Sequence, residues 1–226
     1  IYDLTKDLLI DHDQNLLISE KIKLPFKLVP KGDSWSKIME KVNTSRELKE
    51  IINSDEVRSA FRKVFTNPIA FEISTFRARF PEQKRVLYNW HQDEGTWHLS
   101  KKQTITNKFP ATLWFSINGA DETNSIQVVR KSHKTKLHDH EWVDGQGFFK
   151  IQNIEKKINI EDIHTANLEE SECFIFHPLT VHRSVPTSNN LDLKPRYSLD
   201  IRYYDQNASI KINTDIKIYL KKLLKK

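Results

Sequence analysis

"RYSLDIRYY", residues 196–204, alternates with a period of two: Tyr197, Leu199, Ile201 and Tyr203 leave one face of the chain, and Arg196, Ser198, Asp200 and Arg202 leave the other. Period two marks an extended strand, because successive Cβ atoms point to opposite sides of a sheet. The apolar face demands a core. The other carries two arginines and an aspartate, a set suited to water or to the lining of a cavity. Turned inward, an unpaired Arg196 is costly to bury unless an anion meets it. The planar fork of a guanidinium fits a carboxylate.

Runs of similar texture precede this strand. They are "IAFEISTFRARF" (69–80), "KRVLYNWHQD" (84–93), "ATLWFSI" (111–117), "SIQVVR" (125–130), "ECFIFHP" (172–178) and "TVHRSV" (180–185). All are short, rich in β-branched and aromatic residues, and separated by loops carrying Pro, Ser and Asn. The first 68 residues differ. "SWSKIMEKVNTSRELKEIINSDEVRSAFRKVF" (34–65) spaces its apolar residues as a helix does, with breaks near Asn43 and Ser54. Ser45 and Ser54 read as helix starts, and Asn67-Pro68 as a stop. A helical start followed by many short strands predicts a mainly β fold, a sandwich or barrel with flanking helices. One domain is expected over 1–226: a mainly helical part (1–68), a β core (69–204) and a basic tail (205–226).

Composition narrows the function. Apolar residues make up 38% and charged residues 29%, ordinary values for a globular protein, and no apolar run reaches the length of a membrane span. The net charge is +6, but residues 211–226 hold six lysines and one aspartate and so account for +5 of it. A nearly neutral body has no basic groove for a phosphate backbone, so nucleic acid is not an expected partner. The tail reads as a solvated terminus, with weak contact to an anionic membrane surface as the alternative. The single cysteine, Cys173, cannot form an internal disulfide. A cytoplasmic, reducing location and a buried structural thiol are expected.

"YNWHQDEGTW" (88–97) sets His91 and Asp93 two apart at the end of a predicted strand, on one face. Such a pair is half a metal site. The chain has nine histidines from which to choose a third ligand. His12, His133 and His164 have polar neighbours and read as surface; His138 and His140 lie in a polar stretch with no strand pattern, and His98 falls beyond a turn at Gly95. His177 and His182 both follow the strand "CFIF", and Pro178 between them removes any parity argument. Two imidazoles and a carboxylate on a β scaffold form the facial triad of non-haem Fe(II) oxygenases, which leaves coordination positions open for cosubstrate and oxygen.

Four segments, in order, carry a family resemblance: "WHQDEGTW", "SIQVVRKSHK", "ESECFIFHPLTVHRSVP" and "PRYSLDIRYY". The chain resembles the phytanoyl-CoA dioxygenase family of Fe(II)- and 2-oxoglutarate-dependent oxygenases. That resemblance implies a double-stranded β-helix, or jelly-roll, barrel. By it His91, Asp93 and His182 are the catalytic metal ligands, since the family's His-x-Ser pattern fits His182-Arg183-Ser184. It also implies that Arg196 binds the distal carboxylate of 2-oxoglutarate with help from Ser184, and that Trp114 borders the cosubstrate. Two turns depart from the family pattern, where glycine is usual near Glu170-Ser171 and Pro-Gly at Arg130-Lys131. A longer loop from Ser184 keeps Arg202 open as a second candidate clamp.

The resemblance further implies hydroxylation of an unactivated carbon in a small-molecule substrate, consuming O2 and releasing succinate and CO2. Asp93 matters to that outcome, because related halogenases lack the carboxylate ligand. Trp90, Trp97, Arg77 and Arg79 lie near the motif as candidate pocket residues, but the substrate itself is not legible. Two other readings stand beside it: a non-catalytic jelly-roll binding module, and a cupin-like metal enzyme that does not use 2-oxoglutarate. Arg196 discriminates between these and the oxygenase.

Overall fold

The computed structural model describes residues 40–70, 74–79, 88–99, 111–143, 148–170, 172–186 and 196–206. The basic tail, His12 and most of the predicted helical N-terminal part lie outside these. Among these residues there are ten strands: β1 (Pro68–Ala70), β2 (Thr75–Arg79), β3 (Ala111–Ser116), β4 (Ile126–Val129), β5 (His140–Val143), β6 (Phe148–Ile151), β7 (Ile163–Thr165), β8 (Cys173–Phe176), β9 (His182–Ser184) and β10 (Arg196–Asp205). Among the described residues, helical residues 40–44, α1 (Arg46–Asn53) and α2 (Asp55–Arg62) precede them, and α3 (Asp93–Leu99) begins at the aspartate of the His-x-Asp motif.

β10 organises the larger sheet. It pairs antiparallel with β3 on one side and with β2 and β1 in succession on the other, and β8 extends the sheet beyond β3. The expected alternation holds along its length. Tyr197, Leu199, Ile201 and Tyr203 join Leu113 and Phe115 of β3 and Phe76 of β2 in one core. α1 and α2 cover that face through Leu48 and Phe61, with the Phe61 ring stacked 4.0 Å from Tyr203. Both helices begin at the expected caps: Ser45 Oγ accepts from the Leu48 N–H at 3.1 Å, and Ser54 Oγ from the Val57 N–H at 3.3 Å.

The second sheet runs β7-β4-β9. His91 extends it by a single bridge to His182, and the Ile151 N–H to Trp90 carbonyl bond (2.8 Å) ties in the β5–β6 hairpin. Trp114 and Phe176 from the first sheet meet Ile126 from the second in a smaller core. All strand pairs are antiparallel, and the architecture is the jelly roll that the family resemblance implied.

Several local expectations change. "IAFEISTFRARF" is two strands, β1 and β2, and the run before "WHQD" has no regular strand at residues 88–90. The β5–β6 hairpin and β7 were not foreseen. Cys173 is exposed, because it opens β8 at a sheet edge where the apolar pattern has not yet turned inward. Lys131 adopts φ 62° where the family usually has glycine, so the turn survives without it. Among the described residues no helix is long and apolar enough to cross a membrane.

Candidate metal and anion site

His91 and His182 exchange both backbone hydrogen bonds of their bridge at 2.9 Å. The bridge sets their rings side by side, with centroids 4.1 Å apart. Asp93 arrives by a different route. The chain leaves the bridge at Gln92 and enters α3 at Asp93 itself, so strand periodicity is not what unites His91 and Asp93. A turn into a helix unites them.

One nitrogen of each imidazole and one Asp93 oxygen lie within 4.8 Å of one another. Asp93 Oδ1 stands 3.8 Å from His182 Nε2. The tautomers follow from the neighbours. His91 Nδ1 faces the Asn89 carbonyl at 2.7 Å, and His182 Nδ1 faces the Thr180 carbonyl at 2.9 Å. A carbonyl only accepts, so each Nδ1 carries the proton and each Nε2 keeps a free lone pair. Asp93 is oriented as firmly: Thr112 Oγ1 donates to Oδ2 at 2.6 Å and Arg202 Nη2 approaches it at 3.0 Å. Oδ1 is left facing His182.

The charge states suit a cation. Burial, with His182 beside it, pushes the His91 imidazole down to about 3, so it is neutral at neutral pH. Burial alone would raise the Asp93 carboxyl. The Arg202 guanidinium, both imidazoles and the Thr112 hydroxyl outweigh that and hold it well below the usual carboxylate range. Two imidazoles that present Nε2 and one carboxylate are a donor set for a divalent transition metal with open positions. Next along the chain, burial and then Asp93 raise the Glu94 carboxyl to about 7.

A candidate anion site lies on the inner face of β10. Arg196 is 5% exposed; its Nε donates to the Asn124 carbonyl at 3.1 Å and its Nη1 to the Ser198 hydroxyl. Its guanidinium carbon stands 5.1 Å from the centre of the Trp114 ring. Arg79, its register partner on β2, is also buried; Nη1 reaches the Ser125 carbonyl at 3.4 Å and Nη2 has no partner among the described residues. Burial and the neighbouring Arg79 lower Arg196 to about 9, and burial lowers Arg79 to about 10. Among the described residues no carboxylate forms an ion pair with either. Two adjacent buried cations without a counter-ion are unfavourable until an anion arrives. The other two arginines of this face are paired, Arg77 with Asp200 at 2.9 Å and Arg202 with Asp93. Arg202 is thereby committed to the metal cluster. Ser184, two residues past His182, is buried, with its hydroxyl accepting from the Tyr88 N–H at 3.3 Å.

The remaining candidates separate cleanly. His177 is exposed, its Nδ1 accepts from the Leu179 N–H at 3.1 Å, and it stands outside the cluster beside His133. His133 and His164 are exposed as expected. Trp90 is buried with Arg183 stacked 4.3 Å from its ring centre, while the Trp97 side chain lies outside the described residues.

A family model described as Phytanoyl-CoA dioxygenase (PhyH) matches residues 27–191. The chain belongs to the phytanoyl-CoA dioxygenase family. The matched region includes His91, Asp93, His182 and Ser184 and ends before Arg196. No curated protein matches the chain in sequence. Solved structures of similar fold include a non-heme monooxygenase, ThoJ apo, at TM-score 0.57 and 15% identity over 72% of this chain and 56% of that one. EvdO2 from Micromonospora carbonacea var. aurantiaca complexed with 2-oxoglutarate aligns at TM-score 0.55 and 14% identity, covering 80% of this chain and 69% of its own. The epimerase SnoN in complex with Fe3+, alpha ketoglutarate and nogalamycin RO aligns at TM-score 0.54 and 16% identity, covering 75% and 62%. This family member thus spans less than two thirds of the length of the first and third.

Sequence reading missed three parts of the site, Thr112, Gln92 and His140, and gave the fourth, Arg202, a different role. Thr112 and Arg202 grip Asp93, and Gln92 and His140 bond beneath the His-x-Asp turn. Only the two-residue spacing of His138 and His140 hinted at His140, and the β5 strand it opens has an apolar content too thin to recognise.

Proposed function

We propose that this member of the phytanoyl-CoA dioxygenase family is an Fe(II)- and 2-oxoglutarate-dependent oxygenase that hydroxylates an unactivated carbon of a small-molecule substrate. One observation carries the reading: a two-imidazole, one-carboxylate cluster shares a jelly-roll interior with a buried arginine that forms no ion pair with a carboxylate among the described residues. His91 and His182 would hold the metal through Nε2, and Asp93 through Oδ1. Arg196, with Arg79 beside it, would take the distal carboxylate of 2-oxoglutarate. Ser184 would assist, and the Trp114 ring would wall the cosubstrate. When bound, iron and 2-oxoglutarate supply the oxidising power drawn from O2, with succinate and CO2 as coproducts.

The chain's own contribution is positional. Carbonyls of Asn89 and Thr180 fix both rings in the tautomer that presents Nε2. Phe176, 4.7 Å from the His182 ring, keeps water from one side of it. Asp93 occupies the ligand position that a halide would need, which favours hydroxylation over halogen transfer.

Anaerobic calorimetry with Mn(II) tests the reading, with about one equivalent per chain expected for a single triad. Fe(II), O2 and 2-oxoglutarate together should then yield succinate. Metal binding without 2-oxoglutarate consumption would leave a cupin-like metal enzyme, and no metal binding would leave a binding module.

A further inference from the structure

Gln92, between His91 and Asp93, is 0% exposed. Every polar group that it turns inward is used. Its Nε2 donates to the Leu179 carbonyl at 2.8 Å, and its Oε1 accepts from the His138 N–H at 2.8 Å. Leu179 lies in the loop that delivers His182, three residues before it, and His138 lies just ahead of β5. The Gln92 backbone N–H donates to His140 Nε2 at 3.0 Å. That ring is itself locked, because its Nδ1 faces the His138 carbonyl at 2.7 Å and must carry the proton there. Its Nε2 is therefore a pure acceptor, and neither ring nitrogen is left for a metal. Gly95 completes the arrangement. A Cβ at that position would sit 2.3 Å from the imidazole, so only glycine lets the ring lie against α3.

These contacts join the three segments that carry or flank the cluster: the His91–Asp93 turn, the loop before His182, and the start of β5. A single residue separates His91 from Asp93, so the peptide planes of Gln92 set the relation between the two side chains. Its N–H is the group that His140 holds. Fully satisfied buried networks of this kind specify one geometry, because any displacement strands a polar group.

We propose that Gln92 and His140 are positioning residues of the metal centre, locking the turn that carries His91 and Asp93 to the loop that carries His182. This rests on the reading of that cluster as a metal site. Groups that orient metal ligands typically contribute 10- to 100-fold in metal affinity.

The test is anaerobic Mn(II) calorimetry on the full chain, with thermal melts of the same proteins in EDTA. His140→Leu removes the acceptor and should weaken Mn(II) binding about 10- to 100-fold. His140→Gln, whose Oε1 replaces the acceptor, should stay within about threefold of the parent while its metal-free melt matches that of His140→Leu. Gly95→Ala keeps the imidazole but displaces it, and should weaken binding as His140→Leu does; it also decides the matter if His140→Leu does not fold. Unchanged Mn(II) affinity in His140→Leu and Gly95→Ala would overturn the proposal. So would equal losses in His140→Leu and His140→Gln that track their melts, since that pattern marks a merely structural role. A parent chain that binds no Mn(II) would sink the metal reading and this one with it. A parent that binds, with insensitive variants, sinks this one alone.

Discussion

On one face of β10, Tyr197, Leu199, Ile201 and Tyr203 are at most 8% exposed and pack into the apolar core beneath α1 and α2, where the Tyr203 hydroxyl donates to the Ile52 carbonyl at 2.9 Å. On the other face Arg196 and Ser198 are as deeply buried, at 5% and 0%, yet Arg196 meets a carbonyl, a hydroxyl and a second guanidinium. Burial is nearly equal and its energetics are opposite. Each large apolar side chain on the outer face contributes about 1.5–3 kcal/mol by leaving water. The inner face loses hydration and regains only part of it, as the lowered affinity of Arg196 for its own proton records. The lesson is a division of labour along one strand, in which odd positions hold the fold and even positions carry the polar groups of the proposed site.

Substitutions on the two faces should therefore separate stability from binding. The largest effect belongs to the outer face. Phe61→Ala empties the stack on Tyr203 and should cost about 3–5 kcal/mol in urea unfolding, while the surviving folded protein keeps its Mn(II) and 2-oxoglutarate affinities. Arg196→Ala should do the reverse. Truncating one side of a buried charge pair costs roughly 2–5 kcal/mol, so 2-oxoglutarate binding should weaken by roughly 30- to 3,000-fold in calorimetry. Ligand-free stability should hold or rise, because an unpaired buried cation has gone. Arg196→Lys should recover only part of the binding, since an ammonium cannot make the forked contact. If Arg196→Ala lowered ligand-free stability as Phe61→Ala does, the contrast between the faces would be wrong.

Arg202 refines the picture from the same inner face. Its Nη2 holds Asp93 Oδ2, so Arg202→Ala should act on the metal rather than on 2-oxoglutarate, weakening Mn(II) by about 10- to 100-fold. Loss of 2-oxoglutarate binding in Arg202→Ala, with Arg196→Ala unaffected, would exchange the two roles.

The strand that divides these roles was also the most legible part of the sequence. Eight residues of strict alternation, Arg196 to Tyr203, need no tertiary information, and the caps at Ser45 and Ser54 are equally local signals. The double-stranded architecture and the grouping of His91, Asp93 and His182 came from family resemblance, since those residues lie on three different elements and no spacing rule joins them. What escaped reading was set by neighbours. Gly95 suggested a turn, but it lies inside α3, where glycine leaves room for the His140 imidazole. Cys173 begins an apolar run yet is exposed, because β8 stands at a sheet edge. His140 looked like a polar loop residue because its partners, Gln92 and His138, declare themselves only in three dimensions.

Glu94 extends the comparison to a carboxyl, and the expected effect is the smallest. It is 7% exposed, and burial followed by the neighbouring Asp93 raises it from 4.5 to about 7. In the metal-free protein the folded state then keeps a proton that the unfolded chain has already released. Stability must fall as pH rises from about 4.5 to about 7 and then level off, because the native state binds more protons across that window. Asp93 acts in the opposite sense at lower pH. Its carboxyl is held below its ordinary value, so its contribution is present above the unfolded value and lost as pH falls. Glu94→Gln removes the first effect and leaves the second. Melts in EDTA should show variant and parent alike at pH 4.5, and the variant more stable at pH 8 by on the order of 1 kcal/mol, or about 2–4 °C for a domain of this size. An equal difference at both pH values would show a packing change and no titration. A variant less stable at pH 8 would mean that the ionised Glu94 carboxylate has a partner, so that polar burial on this side of the barrel is not uniformly unfavourable.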